Sequence, residues 1–195
     1  MTAKQVRQLC GEQDELCKTL RVLKGKKPTD KKKYYLYPPA EAEAIARAEK
    51  QFGFKYPPSY RAFLKMHNGW LGFWPDWSLV GIPRPDNATM YKDIKNTQSL
   101  LPVVADNEMR ERLPQDERTD SRVMLITNHL VLGTDFNGSL LLFDRNRVGK
   151  DREPQIAWVH YIMHVERRWT NFEELLKSAI QDTKKDIAKL QSAKS

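Results

Sequence analysis

The hydrophobic periodicity changes along the chain, and the order of those changes constrains the fold more than any single motif. Residues 1 to about 67 carry apolar side chains at helical spacing, residues 77 to 161 carry short extended runs, and the last twenty or so are helical again. Helices first, strands next and a helix last is the pattern of an α+β domain with a largely antiparallel sheet flanked by helices, not of alternating α/β units.

Val6, Leu9, Gln13, Leu16, Leu20 and Leu23 alternate spacings of three and four, and Gly25 is a natural stop, which predicts an amphipathic helix of about 20 residues. It is too short to argue a coiled coil, so docking on its own domain is its simpler use. Pro38 and Pro39 open a second helix, AEAEAIARAEKQF, closed by Gly53, with Ile45, Ala48 and Phe52 inward. Pro57 and Pro58 begin a third, SYRAFLKMH, which Asn68 and Gly69 are suited to cap.

Extended segments follow at Trp77–Ile82, Leu100–Ala105, Arg122–Thr127, His129–Thr134, Ser139–Asp144 and Ile156–Tyr161. HLVLGT-DFNG-SLLLFD reads as an antiparallel hairpin whose Asn137 and Gly138 supply the positive φ angles of a tight connection. Residues 107–122 are charged, contain Pro114 and read as a surface excursion. Thr170 and Glu173 fit a capping box opening a final helix through Phe172, Leu175, Leu176, Ala179 and Ile180.

With 195 residues, 40% of them hydrophobic, the chain is long enough for one domain and too apolar for wholesale disorder. Its longest stretch without a charge, such as Val123–Thr134, falls well short of the ~20 apolar residues of a membrane span. Glu12, Asp14 and Glu15 interrupt the region where a secretory signal needs an apolar run, so the expectation is a cytoplasmic protein. Cys10 and Cys17, seven residues apart on one helix, lie beyond disulfide reach and read as small hydrophobes.

The net charge of +8 is uneven: residues 1–37 hold ten Lys or Arg against four Asp or Glu, whereas residues 38–195 hold 23 against 21. This divides the chain into a basic N-terminal helical arm, 1–37, and a nearly neutral body, 38–195. The run Lys24–Lys33 is either a solvated loop, the simpler reading, or a patch for phosphate, anionic lipid or an acidic protein. Stacking aromatics are not interleaved with it, which speaks against a nucleic-acid reader.

The search for chemistry returns little. The sequence has no Gly-rich phosphate loop and no G-x-S-x-G elbow, and neither cysteine has a histidine near it in sequence. His160 and His164 would share a helical face, but WVHYIMHV reads as a strand, and His67 and His129 read as half-buried polar residues. Asp135 and Asn137 lack the spacing of a calcium loop and are explained by turn chemistry. No catalytic residue, metal site or cofactor is assigned. NGWLGFWPDW is an aromatic-rich loop for which core and interface both stay open at Trp70 and Trp74, while Trp77, starting a strand, reads as core.

EAEAIARAEKQFGFKYPPSYRAFLKMHNG, then VLGTDFNGSLLLFD, then WTNFEELLKSAI together resemble the SUKH superfamily, named in part for a fungal cell-wall assembly regulator. The matching positions are Phe52, Gly53, Pro58, Tyr60, Phe63, Leu64, Asn68 and Gly69. They continue at Gly133, Thr134, Asp135 and Gly138, then Phe172 and Leu176, covering roughly residues 40–180. The resemblance implies an α+β domain that is, in bacteria, most often an immunity protein: it binds a cognate polymorphic toxin and is not an enzyme. Candidate contacts to such a partner are Trp70, Trp74 and Asp76, then the Asp135–Asn137 turn and the excursion with Glu108 and Arg110. Basic inhibitors are unusual against nucleases, which are themselves basic, so a neutral or acidic toxin is expected. A regulatory scaffold for host proteins and nucleic-acid binding through Lys24–Lys33 are the competing readings; membrane association is not expected, and no oligomeric state is assigned.

Overall fold

The computed structural model describes residues 2–28, 30, 33–88, 90–92, 94, 130–149, 153–160 and 165–193. The elements run α1 (Ala3–Leu23), β1 (Tyr35–Leu36), α2 (Ala42–Phe52), α3 (Pro58–Leu64), β2 (Gly69–Trp74) and β3 (Trp77–Val80). After a 3-10 turn at Pro85–Asn87 come β4 (Leu130–Thr134), β5 (Leu140–Val148), β6 (Pro154–Val159), β7 (Val165–Trp169) and α4 (Phe172–Ser192). Among the described residues the sheet has seven antiparallel strands paired in chain order, so the fold is α+β. The expected strands at 100–105 and 122–127, and the excursion holding Glu108 and Arg110, lie outside the described residues.

Both faces of the sheet are covered, and β5 shows why its sequence is continuously apolar rather than alternating. Leu141 and Phe143 point into the main core beneath the helices, with Leu79, Leu132 and Ile156. Leu140 and Leu142 point the other way, into a smaller cluster with Val80, Ala157 and Val159, covered by Tyr91 and Ile94. Tyr60, on α3, is the hub of the main core: its ring lies 5.2 to 5.5 Å from those of Tyr56, Phe63, Phe143 and Phe172. Its hydroxyl donates to the Val80 carbonyl, tying α3 to β3.

α1 starts with a capping box: the Thr2 hydroxyl accepts from Gln5 N and the Gln5 side chain accepts from Thr2 N. Its buried face is Val6, Cys10, Gln13, Cys17 and Leu20, and the expected stripe is therefore rotated: Leu9, Leu16 and Leu23 are only half-buried. Gln13 is wholly buried and donates from Nε2 to Phe73 O (2.7 Å) on β2 and to Thr183 Oγ1 (3.1 Å) on α4. Lys184 reaches back to Glu12 at 2.7 Å. The core cluster thus runs across residue 37, with Val6, Cys10 and Cys17 in contact with the body.

Three local expectations shift. α3 ends at Leu64 with Lys65 as its C-cap; Asn68 is instead buried, its amide donating to Ile82 O (3.0 Å) and accepting from Ile82 N (2.6 Å). Gly81 lies so close beneath it that an added Cβ would meet Asn68 O at 2.0 Å. The cap of α4 is Asn171, not Thr170: its side chain accepts from Glu174 N (3.0 Å) while Glu174 accepts from Thr170 N (2.7 Å), one residue later than expected. GWLGFW is strand β2 rather than loop, with Gly72 at φ +72° in its irregular stretch.

Candidate functional site

The register places three connections at one end of the sheet. Trp74 pairs with Trp77 across the Pro75–Asp76 turn, Ser78 pairs with Thr134, and Leu140 pairs with Val159. Asp76, the turn 135–138 and the exit of β6 at His160 therefore share that end, which brings together three of the residues nominated from sequence: Asp76, Asp135 and Asn137.

The β4–β5 turn is held in one shape by its own side chains. Asp135 Oδ1 accepts from Asn137 N (2.8 Å) and Ser139 N (2.9 Å), and Thr134 Oγ1 accepts from Phe136 N (3.1 Å). The positive φ angles fall at Phe136 (56°) and Gly138 (90°), not at Asn137. A phenylalanine in the left-handed region carries a strain of about 1–2 kcal/mol, sustained by the hydrogen bonds around it. The same geometry leaves its ring 42% exposed at the tip of the hairpin. Asp76, at φ 68°, is likewise exposed. Phe136 was hidden in the sequence because DFNG reads as a turn in which only the polar residues and glycine carry information; an aromatic between them was the available signal.

The two tryptophans proposed as contacts are core side chains. Trp70 is fully buried, packed edge-on to Tyr34 and Phe73, and Trp74 is 8% exposed against Trp169. Removing such a ring from a core costs about 3–5 kcal/mol of stability, so both tryptophans serve the fold in the first place. Burial follows from the strand: in β2 the loop that would have exposed them does not exist. Trp77 is buried as expected, stacked edge-on with Trp158 at 5.3 Å. Glu108 and Arg110 lie outside the described residues, as does His164, whose helical pairing with His160 the strand reading sets aside.

Among the described residues no group of three or more His, Cys, Asp or Glu is placed to hold a metal ion. Burial pushes both thiols up, to about 12, with Asp14 adding to the effect, so Cys10 and Cys17 are protonated at neutral pH. Burial lowers the His67 pKa, partly opposed by its hydrogen bond with the Tyr37 backbone. No helix among the described residues is long and apolar enough to cross a membrane.

A family model described as SMI1 / KNR4 family (SUKH-1) matches residues 39–178, which hold all the strands from β2 to β7 together with α2 and α3. The chain belongs to this SUKH-1 family. None of the curated proteins compared with the chain matches it. The positions that carried the resemblance are mostly fold-forming in this SUKH-1 domain: Tyr60, Phe63, Leu64, Asn68, Phe172 and Leu176 are buried, and Asp135 and Gly138 shape one turn. α1 and the last two thirds of α4 lie outside the match and pack on each other through Gln13 and Thr183.

Proposed function

We propose that this SUKH-1 protein is a cytoplasmic immunity protein that binds a cognate bacterial toxin and neutralises it by direct, stoichiometric contact, without chemistry of its own. Family membership over 39–178 is the observation that carries the reading. It is supported by a preorganised surface: the strained, hydrogen-bonded turn presenting Phe136, flanked by Asp76, Asp135 and Asn137. A rigid exposed aromatic on a fixed hairpin loses little conformational freedom on binding, which is what an interface anchor requires. Glu108 and Arg110 belong to the same proposal as secondary contacts.

The test is co-purification from the native cell followed by growth rescue. Co-expression of the chain with the recovered toxin restores growth; a folded chain that leaves the toxin fully active overturns the proposal. Replacing Phe136 with Ser lowers the affinity by about tenfold or more if the turn is the contact.

A further inference from the structure

Two grooves flank the outer side of α3 and meet at Pro58 and Arg61. The first, about 460 Å³, lies between the α2–α3 connection and the β5–β6 hairpin, with Phe54, Pro57, Val148 and Pro154 as apolar lining and Lys55 and Arg145 as cations. The second, about 540 Å³, lies between α1 and α3, where Arg7 and Lys65 flank Ala62 and Met66. Among the described residues, neither groove is lined by an Asp or Glu. The adjacent carboxylates are turned inward: Glu49 pairs with Arg61 (3.5 Å) and accepts from Tyr56 N, while buried Glu153 accepts from Ser59 N (3.0 Å) and Ser59 Oγ (2.6 Å). Four of the five cations come from residues 38–195, whose charges nearly balance, so this face is positive by arrangement and not by composition. Val148, at 59%, is the most exposed of the large apolar side chains among the described residues.

We infer that the α3 face, from Arg7 to Val148, is a docking surface for an acidic protein segment that carries an apolar side chain between its carboxylates. The inference rests on the proposed partner being a protein. Arg7, Lys55 and Lys65 meet the carboxylates, and the apolar side chain covers Val148 beside Pro57. Exposed ion pairs add little affinity singly, so the apolar contact anchors the segment while the charges set selectivity and association rate. Nucleic acid fits less well: Tyr56 is buried, and the Phe54 ring is already engaged by Phe143 at 6.0 Å and by the Arg145 guanidinium at 4.9 Å, which leaves no aromatic platform open for a base.

A random dodecapeptide library displayed on phage is selected on the whole chain. Enriched sequences place Asp or Glu on both sides of an aliphatic or aromatic residue, and a synthetic peptide of the leading sequence binds the combined variant Arg7→Glu, Lys55→Glu, Lys65→Glu at least about tenfold more weakly. These three side chains are exposed, and thermal unfolding confirms that the variant folds; Val148→Ser provides a second, charge-neutral loss of binding. No enrichment, enrichment without acidic residues, or equal affinity for the variants overturns the inference. A single-stranded oligonucleotide that binds more tightly than the peptide, and is lost in the charge variant, overturns it in favour of nucleic acid. A charge variant that still rescues growth as well as the wild type overturns the docking role and leaves the immunity reading standing. Failure of the wild type to rescue strikes the immunity reading alone, and the peptide selection still decides the groove.

Discussion

Gln13 offers a quantitative test of whether α1 is part of the core. Its Nε2 donates to Phe73 O and Thr183 Oγ1, joining α1 to β2 and α4, whereas its Oε1 is buried without a partner. Gln13→Ala removes two buried hydrogen bonds, about 1 kcal/mol each net, and leaves a cavity costing about 1 kcal/mol more, for a loss of about 3 kcal/mol. In a chain of this size that is a fall of about 6–12 °C in melting temperature. Gln13→Met behaves differently. It keeps the volume but loses the same two hydrogen bonds; as in the Ala variant, Phe73 O retains the Cys17 thiol as donor at 3.2 Å, and Thr183 Oγ1 still donates to Ala179 O. The Met variant therefore falls by about 2 kcal/mol, about 1 kcal/mol less than Ala. Urea unfolding of both variants, with Val22→Ala at a 58% exposed position of the same helix as a near-neutral control, reads the difference. An Ala variant as stable as the control refutes the docking of α1; a Met variant as unstable as Ala refutes the accounting by volume.

Four further outcomes follow from the same geometry. Cys10 and Cys17 give no reaction with a thiol reagent at pH 8 in the native state and two equivalents in denaturant, because burial holds both pKa values at about 12; rapid native labelling contradicts their placement. Phe136→Gly removes the left-handed strain and raises stability by up to about 1 kcal/mol while weakening the toxin complex, read by paired thermal melts and titrations. Gly81→Ala forces a Cβ against the Asn68 carbonyl and costs several kcal/mol, about 3 or more, by urea unfolding. For His67 the folded-state pKa lies below the ordinary 6.5, so the unfolded chain binds the proton more readily. Its contribution to stability is present above 6.5 and is lost as the pH falls through the folded pKa, and His67→Gln flattens that part of the stability–pH curve.

The parts of the fold that could be read from sequence are those with one dominant local cause. α2 shows its helix formers and its Gly53 cap in the left-handed region, and β5 shows a continuous apolar run because both its faces are covered. β2 was not legible because Gly69, Gly72 and Pro75 carry loop chemistry; pairing with β1 and β3 overrides it. β7 was missed because Glu166, Arg167 and Arg168 dominate its five residues, as suits the edge position it occupies. In α1 the leucines outweighed the cysteines in any hydropathy reading, yet both thiols lie on its buried face while Leu9, Leu16 and Leu23 are half-buried. The turn nominated as a contact was visible through Asp135 and Asn137, but its exposed ring was not. The cationic face of α3 was invisible for a simpler reason: Arg7, Lys55, Arg61 and Arg145 come from separate elements, and only the fold brings them to one surface.

The most direct test of the central claim is a titration of the purified toxin's activity against increasing amounts of the purified chain. Stoichiometric binding predicts a linear fall to an endpoint at a fixed ratio of the two proteins, unchanged by longer incubation. A small amount of chain that goes on to inactivate a large excess of toxin with time would show turnover and contradict the account.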